Sequence, residues 1–126
     1  MAFGTLKADT LTHSTAGSLA TNFVVNGSAK AWGNISGSGT ATLDNSLNVS
    51  SLTDHGTSDY SINFSTNFAN NEICTTALAI NMGSGDRLYP SLNAFGTSSA
   101  ARVATFDESG NTVDSGEVNI VVHGDI

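Results

Sequence analysis

Tyr60-Ser61-Ile62-Asn63-Phe64-Ser65 decides the fold. Large apolar side chains alternate with small polar ones. A period of two belongs to a half-buried β-strand, with Tyr60, Ile62 and Phe64 on one face and Ser61, Asn63 and Ser65 on the other. Upstream, Asp54-His55-Gly56-Thr57 reads as the turn from a preceding strand. Downstream, Asn70-Asn71 breaks the pattern.

The same reading extends outward in both directions. Toward the N-terminus, Ser46–Leu52 and Thr40–Leu43 are expected as strands around Asp44-Asn45, and Ser36–Gly39 as a turn. Ala29–Ile35, which carries Trp32, is a further strand. Asn22–Val25 is apolar and β-branched, and Asn26-Gly27 after it is a strong hairpin signal. Gly4–Leu11 alternates weakly, and Thr12–Thr21 is small and polar. The best helix candidate, Ser14–Thr21, has Gly17 in its middle. Toward the C-terminus, Ile73–Ile80 is apolar on both parities, which suits the interior of a sheet or a subunit interface. Gly83–Asp86 turns the chain. Arg87–Phe95 reads as a strand that Pro90 confines to an edge or bulge. Ala100–Phe106 and Glu117–His123 are strands, joined by the loop Glu108–Gly116. Eight to ten short strands with frequent turns predict an all-β fold, a small antiparallel β-sandwich over residues 22–126. Residues 1–21 differ in texture and read as an N-terminal arm or attachment segment.

Composition agrees. Ser, Thr, Asn and Gly supply 58 of the 126 residues, and Gln is absent. These residues disfavour helix, because Gly loses the most backbone entropy and the short polar side chains compete for backbone hydrogen bonds. With 4 basic and 11 acidic residues the net charge is −7, a poor footprint for nucleic acid. No apolar run approaches the roughly 20 residues of a membrane span. The N-terminus lacks the basic start and apolar stretch of a signal peptide. Cys74 is the single cysteine, so no intrachain disulfide is expected.

Several stretches resemble one family, the small C-terminal β-domains of bacteriophage tail-fibre-like proteins of marine and cyanobacterial phages. The resemblance is carried by Val25-Asn26-Gly27-Ser28-Ala29-Lys30-Ala31-Trp32, by Ser36-Gly37-Ser38-Gly39-Thr40 and by Asn48-Val49-Ser50-Ser51. It is strongest at Thr53-Asp54-His55-Gly56-Thr57-Ser58-Asp59-Tyr60, similar to the family's T-D-N-G-T-G-D-Y turn, and returns at Val118–Asp125. The opening Gly4–Leu11 resembles the start of such proteins, so the resemblance runs from about Phe3 to Asp125. The chain departs from the pattern at Gly33, Ile35, Asp44 and His55, which are packing and turn positions. The resemblance implies a virion component, made in the host cytoplasm, trimeric, and engaged in host recognition. Its expected partners are copies of itself, other virion proteins, and a host cell-surface glycan or protein. A trimeric capsid decoration protein is the alternative.

Few residues suggest chemistry. His13, His55 and His123 match no metal-ligand spacing, which leaves open only one His from each chain on a trimer axis. Asp54, His55 and Ser58 make a Ser/His/Asp set on paper, without a nucleophile elbow. Asp107–Asn111 lacks the full calcium-loop spacing. The Asn-x-Ser matches at Asn26, Asn34, Asn48 and Asn63 follow from composition. No cofactor, metal or catalytic residue is therefore expected. Trp32 and Tyr60 sit within strand patterns and read as core. The candidate receptor or partner contacts are Arg87, Tyr89, Asp107 and Asn111, because function concentrates on loops carried by a rigid scaffold.

Overall fold

The structure is a computed structural model that describes residues 7–80, 89–91 and 96–126. Its elements are β1 (Thr10–His13), β2 (Gly17–Ala20), α1 (Thr21–Gly27), β3 (Ala31–Ser36), β4 (Thr42–Leu47), β5 (Val49–Gly56), β6 (Asp59–Phe64), β7 (Cys74–Ile80), β8 (Tyr89–Ser91), β9 (Ala100–Phe106) and β10 (Glu117–His123). β1 and β2 form their own two-stranded sheet. The other eight strands form two antiparallel sheets, ordered β4-β3-β10-β7 and β5-β6-β9-β8. The all-β sandwich predicted from the alternation is the fold observed.

Tyr60, Ile62 and Phe64 of β6 meet Ala31 and Ile35 of β3 and Val118, Ile120 and Val122 of β10 in one core, joined by Ala101 and Val103 of β9. The sheets approach so closely that a Cβ on Gly33 would lie 3.1 Å from Ile62 Cγ2. This explains a small residue beside Trp32: any side chain there would push on the facing sheet. Trp32 itself points the other way. Its neighbours Ala31 and Gly33 are buried while it is half-buried on the outer face, so its predicted core role is corrected. Tyr60 is core, as expected.

β9 and β10 have the bounds the sequence predicts, and β8, with Pro90, is an edge strand as expected. Other elements differ. Asn22–Val25 is helical, within α1, rather than a strand. Asn-Gly marks a helix end as readily as a hairpin, and here the helix stops at Gly27. Lys30 Nζ donates to the carbonyl of Val25 and to Ser28 O, closing the helix end. The expected helix Ser14–Thr21 is not formed: only Thr21 is helical, as the start of α1, and Gly17, at φ 92°, opens β2 after the hairpin turn.

The break expected at Asp44-Asn45 lies at Asn48 instead. β4 passes through Asp44 by a bulge opposite Asn34 and Ile35. Asn48 adopts φ 54°, and its side-chain amide clasps Thr66 from both sides, accepting from its N–H at 2.7 Å and donating to its carbonyl at 3.0 Å. β7 is an edge strand rather than an interior one: its burial alternates, with Cys74, Thr76, Leu78 and Ile80 exposed. The predicted Gly83–Asp86 turn lies outside the described residues.

Candidate functional site: the loop end of the sandwich

Because successive strands from β3 to β10 run antiparallel, their connections gather at two ends. One end receives the chain from α1, where Lys30 N–H donates to Val122 O, and carries the bend at Asn48 and residues 65–73. The other collects residues 37–41, the β5–β6 turn at 57–58, residues 107–116 and the start of β8. This second end holds three of the four sequence-predicted contacts, Tyr89, Asp107 and Asn111.

Tyr89 opens β8 opposite Phe106 and is 52 % exposed. Asp107 and Asn111 lie in the following loop and hold each other. Asp107 Oδ1 accepts from the N–H groups of Ser109 and Asn111, each at 2.8 Å. Its Oδ2 accepts from Asn111 Nδ2 at 3.0 Å. The Asn111 side-chain amide first, and the Asn111 backbone N–H next, hold the Asp107 carboxyl below its ordinary range. Gly110, at φ 81°, permits the tight reversal. Asp107 and Asn111 thus shape the loop, while Tyr89 presents a ring to solvent. Arg87 lies outside the described residues.

Sequence reading missed the group that fastens this end together. Asp114 Oδ1 accepts from Ser58 N–H at 2.7 Å and lies 3.0 Å from the Tyr60 hydroxyl. That hydroxyl is also 3.1 Å from the carbonyl oxygen of Gly37. A Cβ on Gly37 would stand 2.7 Å from both Tyr60 Oη and Ser115 O, so glycine is required by close approach. Three connections are therefore fastened together through Tyr60 and Asp114. Burial, and then the bond to and charge of Asp114, push the Tyr60 phenol well above its ordinary value. Ser58 Oγ is buried and has no hydrogen-bond partner. Tyr60 and Asp114 are 54 positions apart, and no local motif links them; only an Asp in a polar loop facing a core tyrosine hints at the pair.

The Asp54, His55 and Ser58 set is not assembled by hydrogen bonds. Asp54 Oδ1 accepts from Gly56 N–H at 2.9 Å, and His55 Nε2 pairs with Ser61 Oγ at 2.9 Å. The three histidines lie far apart in the topology: His13 ends β1, His55 is at the loop end and His123 closes β10 at the opposite end. Among the described residues no group of three His, Cys, Asp or Glu side chains is placed to hold a metal ion. Arg102 makes a two-pronged pair with Asp59, Nε to Oδ1 at 2.8 Å and Nη2 to Oδ2 at 2.6 Å, on the outer face of the β5-β6-β9-β8 sheet. What this end offers is a rigidly fastened, acidic, hydrogen-bonding loop surface with an exposed aromatic ring. No family model, curated protein or solved structure matches the chain.

Proposed function

We propose that this chain is a non-enzymatic structural protein of a bacteriophage particle, a tail-fibre-like adhesin that takes part in host attachment. The observation that carries the reading is the polarity of the molecule. At one end, β1, β2 and α1 expose Leu11, Leu19, Phe23, Val24 and Val25. α1 buries none of its residues. Apolar groups left in water by one chain are an attachment surface when other chains cover them. At the opposite end, the fastened loops present Tyr89, Asp107 and Asn111. Attachment through one end leaves the other free to meet a cell-surface glycan or protein. The resemblance in the turn around Asp54 and in Val25–Trp32 supports the phage setting and three copies per assembly.

The second reading, a capsid decoration protein, draws on the same hairpin and helix, which have the form of a clamp. The two diverge in copy number: a few assemblies per particle for an adhesin, hundreds for decoration. Quantitative mass spectrometry of purified particles separates them. Tyr89→Ala is expected to lower adsorption to host cells while incorporation is unchanged; adsorption equal to the parent counts against the adhesin.

A further inference from the structure

An unpaired sheet edge invites another strand, so proteins blunt their edges with bulges, charge, proline or shortness. Three of the sandwich's four edges are blunted. β4 carries the bulge at Asp44. β5 has two register breaks and both Asp54 and His55. β8 has three residues, one of them Pro90. β7 has none of these devices. Its seven residues, Cys-Thr-Thr-Ala-Leu-Ala-Ile, contain no charge and no proline, and pair with β10 without a break from Cys74 to Ile80. Among the described residues no strand pairs with its other side. Leu78 is 59 % and Ile80 38 % exposed.

We infer that β7 is the site at which a second copy of this chain adds, antiparallel, joining the two β4-β3-β10-β7 sheets into one. The occupant follows from self-complementarity. About a two-fold axis through Ala77, Thr76 stands opposite Leu78, Thr75 opposite Ala79 and Cys74 opposite Ile80. Each pair on the outer face sets a small or β-branched side chain against a large apolar one, an arrangement that stabilises cross-strand neighbours. A chain of net charge −7 repels its copies at most contacts, but this edge brings no like charges together. A two-fold contact of identical strands is the isologous interface commonest among homo-oligomers. The inference does not rest on the virion reading and is separate from association through the N-terminal unit.

Disulfide trapping tests the register. Ile80→Cys places a thiol opposite the second copy's Cys74, within the span a disulfide bridges. Within one chain the two positions are about 20 Å apart along the strand, so they cannot close on themselves. With oxidised glutathione, Ile80→Cys is expected to give a covalent dimer. The parent chain, with Cys74 alone, and the Cys74→Ser/Ile80→Cys chain are expected to stay uncrosslinked, because like positions at the strand ends lie far apart. Adding Leu78→Lys to Ile80→Cys, with the melting curve confirming the fold, is expected to lower the crosslinked fraction by about tenfold. Equal crosslinking in all chains means random collision, crosslinking of the parent means parallel pairing, and no crosslinking means the edge takes another partner or none; each overturns the proposal.

Discussion

The sandwich and the N-terminal unit spend similar side chains to opposite effect. Ile35, Ile62, Val118, Ile120 and Val122 are buried, whereas Leu11, Leu19, Phe23, Val24 and Val25 are left in water. The difference is not composition but the presence of a second layer. Each sheet of the sandwich closes its apolar face on the other. The hairpin of β1 and β2 has no facing sheet, and α1, at seven residues, is too short to be stable by itself. The sandwich is finished by its own chain; the N-terminal unit leaves its apolar side chains exposed.

The largest effect expected from this comparison is in the core. Ile62→Ala empties the position that faces Gly33 and is expected to cost about 2–5 kcal/mol in urea-induced unfolding. Phe23→Ser, which removes a larger side chain that is 65 % exposed, is expected to change the isolated chain by less than about 0.5 kcal/mol. Equal losses would erase the distinction between the two regions.

The next effect lies at the loop end, where a polar group does the joining. Asp114→Ala leaves the Ser58 N–H without its acceptor and the Tyr60 hydroxyl with the Gly37 carbonyl alone, and is expected to cost about 1–3 kcal/mol. Tyr60 gives a pH signature with a definite sign. Its phenol ionises at higher pH in the folded chain than in the unfolded one, where the ordinary value is about 10. The contribution is therefore complete below pH 10 and is lost as pH rises from there toward the folded value. Unfolding free energies measured from pH 8 to 11.5 are expected to fall at the alkaline end, and Tyr60→Phe to flatten that fall. An unchanged slope in Tyr60→Phe would assign it to other groups.

The same contrast explains what could be read from sequence. β6, β9 and β10 are legible because one sheet face is core and the other is water, so a period of two survives in the residues. α1 was not legible, since its residues neither bury a stripe nor show a helical period, and Asn26-Gly27 fits either a hairpin or a helix end. Asp44-Asn45 has the composition of a turn, yet β4 absorbs it in a bulge because Asn48 makes the turn through Thr66. β7 carries apolar residues on both parities, which its place in the sheet order, and not its sequence, resolves as an edge. The fastening of the loop end joins Gly37, Tyr60 and Asp114 across the sandwich, a juxtaposition that only the fold creates. Of the candidate contacts, the exposure of Tyr89 beside Pro90 followed from an irregular edge segment, whereas the mutual bonding of Asp107 and Asn111 follows from loop geometry.

The smallest effect tests whether the sandwich is finished everywhere. Ser58 sits at φ 66°, where a side chain costs about 1 kcal/mol, and its buried hydroxyl has no partner. Its backbone is well used: the N–H donates to Asp114, and the carbonyl accepts from Thr105 N–H at 2.9 Å. Substitutions that spare the backbone therefore separate two costs. Ser58→Ala removes the unpaired hydroxyl and keeps the conformation; Ser58→Gly relieves both. Melting curves are expected to rank glycine above alanine and alanine above the parent, with glycine gaining about 1 kcal/mol net of the extra freedom it gives the unfolded chain. The glycine-to-alanine step reports the positive-φ strain less the extra freedom glycine gives the unfolded chain. A loss of stability in Ser58→Ala would mean that the hydroxyl has a bonding role in the folded chain.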